Sequence, residues 1–415
     1  MDLTLEAYRL IVHNVRSRGD LAALCLVSKG FRRVAERALY NTLFMRERER
    51  TERVCRTLGG GERVARLVEA LTVAVEEEGE GDGVSDTEET QPEERDESVE
   101  LAAETETLWR AISAALKNMT GLRHLSIIID GTRSSAYSGR LGWILGGCGF
   151  RLKSFHSDMR WDEDLVRFLN VQDEIEDLYI GDFDYDEREE GEGSTSAGVE
   201  QRSGRLTLSA AALPRLITLE CTFSEAAVAI VPGRPVARLK TCFSRTDGEG
   251  KRAEMRGLFE GLGKALARGG WYALDIADAE YEEGFAMELL RAVVDLTLGT
   301  LRYLGTLVLP VGGRERLLFY GLLMKLRNLC CVELEISAWD PSPTVVGPVA
   351  FRALGNELRL YCPGVAKIVF VSMNAGGEDI GERTTVEWIP GEGVARVERE
   401  VMNGMTGTEG LWRDV

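Results

Sequence analysis

The chain has 415 residues, of which 44% are apolar and 28% charged, and a formal net charge of −18. That length suffices for one large core or an elongated repeat array plus a small module. No apolar run approaches the ~18 residues that span a bilayer, and Glu6 and Arg9 interrupt any signal-peptide core, so the expected location is intracellular, cytoplasm or nucleus, with no membrane partner. The acidity is local. Residues 76–107 carry −14 and residues 182–202 carry −6, which leaves +2 for everything else. Two acidic insertions would compete with phosphate, so nucleic acid is not the expected partner. The eight cysteines form no CxxC pair and several sit in apolar stripes, as buried free thiols do.

The first forty-odd residues predict three short amphipathic helices. Tyr8, Ile11, Val12 and Val15 share one helical face. Asp20 reads as the N-cap of a second helix bearing Leu21, Leu24 and Cys25, and Ser28 as the cap of a third bearing Phe31, Val34, Ala35 and Ala38. A unit this small exposes apolar surface unless something covers it.

Further along, Thr51–Leu58 reads as helix, broken at Gly59-Gly60-Gly61, and Leu71–Val75 as an apolar stretch. Residues 76–97 are too charged, and too poor in apolar side chains, to offset their ordering entropy; they are expected to be disordered. Helical pattern resumes at Leu101. From there a loose repeat recurs: apolar, two variable, apolar, one variable, apolar. Copies are centred on Leu125, Phe155, Leu178, Leu219, Leu239, Leu274, Leu307, Val332 and Ile368, at spacings of 20 to 41, and Val68-xx-Leu71-x-Val73 reads as a first copy. Helical stripes lie between them: Met255, Leu258, Phe259, Leu262, Leu266; then Leu289, Leu290, Val293, Val294; then Leu317, Leu318, Leu322, Leu323, Leu326. This alternation predicts a parallel βα-repeat array; an ordinary α/β domain whose buried strands share the pattern is the other reading.

The order of the N-terminal residues resembles the F-box. Leu3, Glu6, Ile11, Val15, Asp20, Leu21, Leu24, Val27, Ser28, Lys29, Phe31 and Arg32 match it, with Thr4 where that family carries Pro. Thr can cap the helix that Pro would pre-organise. The strand–helix alternation resembles the leucine-rich repeat, though most copies lack its closing Asn or Cys. Together these imply an α/β fold: an F-box-like module at 1–45, a linking helix and first strand at 46–75, an acidic disordered insertion at 76–100, an irregular leucine-rich-repeat-like solenoid of parallel strands at 101–383 with an acidic loop at 182–205, and a cap or mobile tail at 384–415, anchored through Trp388 and Trp412.

Motifs for chemistry are scarce. His13, His124 and His156 are the three histidines, and no HExxH, GxSxG or Walker-type loop occurs. Gly261-Leu-Gly263-Lys264 lies in a helical stripe with no strand before it and reads as helix. Asp182-Phe-Asp184-Tyr-Asp186 begins like a calcium loop, but Glu187 stands where the sharp turn needs Gly. Ser85, Thr87 and Thr90 sit among acids that suit an acid-directed kinase, yet an unmodified solubilising loop is the simpler reading. No catalytic residue, metal or cofactor is expected.

What the F-box resemblance implies is a substrate-recognition subunit of a Skp–cullin–F-box type ubiquitin ligase. The Skp-type adaptor would contact Leu3, Leu5, Ile11, Val15, Leu21, Leu24, Val27 and Phe31, with Ser28 holding a cap. A protein target would meet the outward strand row of Ser126, His156, Tyr179, Glu220, Lys240, Asp275, Val308, Glu333 and Val369, among which His156, Tyr179, Glu220, Lys240, Asp275 and Glu333 are the candidate contacts. The alternative is a non-catalytic solenoid scaffold whose N-terminal helices only cap the array.

Overall fold

The computed structural model describes residues 4–75, 94–129, 141–182, 206–266, 269–278, 282–297, 299–341, 345, 347–373, 380–389, 391, 394–403 and 410–414. The chain divides into two compact units, Met1–Pro214 and Arg215–Val415.

The first unit opens with α1 (Leu5–His13), α2 (Arg18–Val27) and α3 (Lys29–Tyr40). Thr4 caps α1: its hydroxyl accepts from the Ala7 N–H at 3.3 Å. Ser28 caps α3 through the Phe31 N–H at 3.2 Å. The cap of α2 is Ser17 rather than Asp20; Ser17 Oγ accepts from the Asp20 N–H at 3.3 Å, and Asp20 sits in the first turn, where its charge opposes the helix dipole favourably. Beyond them lie β1 (Thr42–Met45), α4 (Arg48–Gly59), α5 (Glu62–Ala65), β2 (Ala70–Val75), α6 (Glu94–Asn118), β3 (His124–Ile129), β4 (Ser154–Arg160), α7 (Glu163–Asn170) and β5 (Asp177–Asp182). The five strands pair in chain order and all are parallel. Each parallel pairing needs a crossover, and α4, α6 and α7 supply three of them. Leu71, Leu125, Phe155 and Leu178 stand in one register line and are buried, as the repeat required.

The structure corrects two expectations in this unit. The sheet begins at Thr42, inside the stretch assigned to the helical module, because Leu43 and Met45 turn inward from a strand of only four residues. Helix α6 begins at Glu94, seven residues before the expected Leu101. The rest of the acidic insertion, residues 76–93 with Ser85, Thr87 and Thr90, lies outside the described residues, as do residues 183–205 and most of the calcium-like stretch.

The second unit continues the alternation: β6 (Thr218–Phe223), α8 (Ser224–Ile230), β7 (Arg238–Cys242), α9 (Gly248–Leu262), β8 (Ala273–Ala277), α10 (Glu283–Thr297), β9 (Tyr303–Val308), α11 (Gly313–Leu323), β10 (Cys331–Glu335), α12 (Pro348–Tyr361) and β11 (Lys367–Met373). Strands β6 to β11 pair in order and in parallel. The solenoid-like run then ends differently from the expected parallel array. Strands β12 (Ile380–Glu387) and β13 (Arg396–Asn403) add an antiparallel hairpin, and α13 (Leu411–Asp414) closes the described chain. Within segment 384–415 the end of β12 and the whole of β13 are strand, and Trp388 packs on α12, with the Arg359 guanidinium 4.5 Å from its ring.

Helix α10 buries Leu289, Leu290, Val293 and Val294 as its stripe predicts. Helix α11 follows its stripe only in part: Leu323 is buried, as is Leu326 just beyond the helix, but Leu317 and Leu318 are exposed, and Phe319 and Tyr320 supply the rest of the burial. In α9, Gly261 faces the α8 backbone at Val228, Gly263 caps the helix, and Lys264 pairs with Glu260 at 2.9 Å, so this stretch is helix end and no phosphate loop.

Candidate functional site

The helical module folds around its own small core of Val12, Leu21 and Ala35, with Val15, Leu24, Cys25, Phe31, Val34 and Leu39 packed against it. Tyr8 meets Phe31 edge-on at 4.7 Å. That approach needs Gly30, where a Cβ would lie 2.6 Å from the Tyr8 ring. The candidate adaptor residues therefore separate. Leu21 is buried, while Val15, Leu24 and Phe31 are partly covered within the module. Leu5 is half-buried, and the Ser28 hydroxyl is used as a cap. Ile11 and Val27 face solvent, Val27 at 66% exposure. Leu3 lies outside the described residues. Beside the exposed pair stand two residues the sequence reading missed, Leu10 at 65% and Leu26 at 89% exposure. Their signal was present: each is a leucine off the apolar stripe of its own helix, where a solvated face would carry a polar side chain.

Ion pairs tie the module to α5 and to the start of the sheet. Glu36 binds Arg32 at 2.9 Å and Arg63 on α5, and these guanidiniums, Arg63 foremost, hold its carboxyl below the ordinary range. Arg37 reaches Glu69 at 2.6 Å, and Arg18 donates to the Leu39 carbonyl at 2.8 Å.

The strand faces differ between the units. In the first, Ser126, His156 and Tyr179 stand in one register row with Thr72 and are half-buried, as the alternation predicts. His156 Nε2 lies 3.0 Å from Asp177 Oδ2 and 3.3 Å from Ser154 Oγ. Both partners share one ring nitrogen. A general base that activates a hydroxyl needs its orienting carboxylate on the other nitrogen, so this trio is a polar surface cluster and not a relay.

In the second unit the row is Glu220, Lys240, Asp275 and then Gly305, not Val308. Strand β9 bulges by one residue between Leu304 and Leu307, and Leu304, three residues before the expected centre Leu307, is the partner of Leu274 and Val332; Val308 is buried. Glu220 and Lys240 are half-buried and paired at 3.0 Å. Asp275 is 3% exposed and Glu333 0%, and Val369 is buried too, so these three are not on open strand surface as expected. Two features account for it. Arg383 of β12 reaches Glu333 at 2.8 Å, and Trp412 of α13 packs on Ala273, Tyr303 and Cys331 of the same face. Trp412 thus covers β8 to β10 instead of capping the last repeat. Burial pushes the Asp275 carboxyl up to about 7, with the nearby Glu333 charge adding to the effect. Burial also raises Glu333, against the pull of Arg383.

All eight cysteine thiols are free. Burial pushes Cys55 and Cys221 up to about 12, and Cys148, Cys242 and Cys362 up to about 11, which leaves them as inert thiols at neutral pH. Among the described residues no His, Cys, Asp and Glu cluster is arranged to hold a metal ion, and no helix is long and apolar enough to cross a membrane. Compared with known proteins, the chain matches no family model. No curated protein matches it either.

Proposed function

We propose that this chain is the substrate-recognition subunit of a Skp–cullin–F-box type ubiquitin ligase. The observation that carries the reading is in the helical module: three helices in F-box order close a core of their own and still turn Leu10, Ile11, Leu26 and Val27 to solvent. Covering one such side chain contributes about 1.5–3 kcal/mol, enough in sum for a stable docking edge. Thr4 is a working cap in place of the family's Pro, which keeps the entry to α1 fixed. The strand faces of the βα units would hold the protein target, Ser126, His156 and Tyr179 in the first unit, Glu220 and Lys240 in the second. Catalysis then needs no reactive group here: holding the target near a conjugating enzyme raises its local concentration.

A second reading has its own observation. Helix α3 is bound to α5 through Glu36–Arg63 and to the residue before β2 through Arg37–Glu69, as a helical cap on a scaffold would be. Co-expression with a Skp-type adaptor separates the two. Stoichiometric co-elution on gel filtration supports the ligase reading; elution of this chain alone supports the scaffold.

A further inference from the structure

The helix layer of the second unit changes character along its length. Between α9 and α10 the outer surface is charged, and Arg252 of one helix pairs with Glu288 of the other at 2.9 Å. Between α11 and α12 the Arg316–Glu357 pair at 2.9 Å and the stacked rings of Tyr320 and Tyr361 join the helices. Outside that join the surface is apolar. Leu317 and Met324 of α11 are each 53% exposed, and Val349 and Leu360 of α12 are 72% and 81% exposed. Helical spacing puts Leu317 and Met324 on one edge of α11, next to the Arg316 and Tyr320 contacts, and Val349 and Leu360 on the facing edge of α12. One exposed leucine needs no explanation, but an apolar seam between two helices marks an interaction surface.

Gly321 stands between Leu317 and Met324 on the same face, and a Cβ there would meet nothing within 4 Å. Glycine in a helix interior is destabilising, and no neighbour in the chain requires it here. What it does is leave the α11 backbone open to close approach from outside.

The charge around the seam selects the partner. From Arg314 to Leu329 and over α12 there are six Arg or Lys and two Glu, whereas α9 and α10 together hold six acids and four cations. Of the two Glu, Glu357 is already held by Arg316. A basic rim repels a second copy of itself and attracts acids. The seam also runs along both helix axes, which is the groove that a third helix fills.

We propose that the α11–α12 seam is a docking groove for an amphipathic helix of a partner protein, whose apolar stripe covers Leu317, Met324, Val349 and Leu360 and whose flanking Asp or Glu side chains meet Arg314, Lys325 and Arg352. The groove lies on the helix layer, apart from the strand face of this unit, and it does not depend on the adaptor contact.

The test is fluorescence anisotropy on the full chain with a labelled amphipathic peptide of about five helical turns, carrying Leu at i, i+3, i+4 and i+7 and Glu on both flanks. It should bind in the micromolar range. Leu317→Glu with Leu360→Glu changes solvated positions, should keep the melting curve, and should weaken binding about tenfold or more. Gly321→Gln should raise the melting temperature, since Gln is the better helix former, and yet weaken the peptide several-fold. The same peptide with Lys in place of Glu should bind about tenfold or more weakly. The proposal is overturned if the Glu peptide does not bind, if the Lys peptide binds equally well, or if the folded Leu317→Glu, Leu360→Glu variant binds the Glu peptide as tightly as the unaltered chain. It is also overturned if that variant instead abolishes flotation with phosphatidylserine–phosphatidylcholine vesicles, or self-association on gel filtration, without changing peptide binding. Should the double variant fail to fold, Gly321→Gln decides alone, and unchanged peptide binding overturns the proposal.

Discussion

The side chain that Gly305 lacks is the space that Asp275 fills: a Cβ at Gly305 would lie 2.2 Å from Asp275 Oδ1. Strand β9 makes that room with its bulge, in which Thr306 adopts a φ of 33° and approaches Asp275 Oδ1 with its hydroxyl at 3.4 Å. A carboxylate from one strand is thereby lodged in the backbone of the next.

Substituting Gly305 by Ala should therefore destabilise the second unit by about 1–3 kcal/mol, the usual cost of overpacking. Asp275→Ala in the same chain should recover most of that loss, because the two side chains compete for one volume. The urea midpoints of the two single variants and the double variant measure the coupling. Additive effects would mean the neighbours simply move apart.

Asp275 also makes stability depend on pH. Its carboxyl titrates near 3.8 when unfolded and is pushed up to about 7 by burial and by Glu333. Between these values the unfolded chain releases the proton and the folded chain keeps it. Stability is thus fully present below about pH 4 and is lost progressively as pH rises to about 7. Asp275→Asn should flatten that slope and stabilise the protein at pH 8 by about 1–3 kcal/mol. Melting curves from pH 4 to 8 check it; an unchanged slope would mean that another group carries the dependence.

Glu333 and Arg383 form a buried pair whose members are 0% and 7% exposed. Removing one partner leaves a charge in the interior. Arg383→Met alone should cost about 3–5 kcal/mol, whereas Arg383→Met with Glu333→Gln should lie much closer to the unaltered protein. Chemical denaturation of both variants gives the difference.

The strands were legible because their inward residues repeat at fixed offsets. Leu71, Leu125, Phe155 and Leu178 pair with one another as the pattern requires. The same pattern failed at β9 because Leu304-xx-Leu307-x-Leu309 fits it fully, whereas the frame the strand adopts, Leu301-xx-Leu304-x-Thr306, ends on a threonine. Strand β1 is too short to show a period, and β13 has only Val397, Val401 and Met402 as apolar residues, with no period of two, in a stretch that reads as polar tail. The helical module was legible in its helices and in the cap at Ser28. Which of its apolar residues face outward was not, since Val15, Leu24 and Phe31 carry the same chemistry as Ile11 and Val27 and differ only in packing. The burial of Asp275 and Glu333 depends on Trp412 and Arg383, which are far away in sequence and leave no local mark.

Within the module the division between inner and outer residues gives contrasting outcomes. Leu21→Ala removes a core side chain and should destabilise the helices by about 2–5 kcal/mol. Ile11→Asp with Val27→Asp changes only solvated positions and should leave the melting temperature within about 2 °C. Thermal melts followed by circular dichroism distinguish them, and a large drop in the second variant would place Ile11 and Val27 in the core.

The most direct measurement is adaptor co-elution with that outward double variant. The full chain and a Skp-type adaptor, co-expressed and run on gel filtration, should elute together at equal stoichiometry, and Ile11→Asp with Val27→Asp should abolish the complex while the chain stays folded. Elution of the unaltered chain without the adaptor, or a complex that survives both substitutions, would contradict the account.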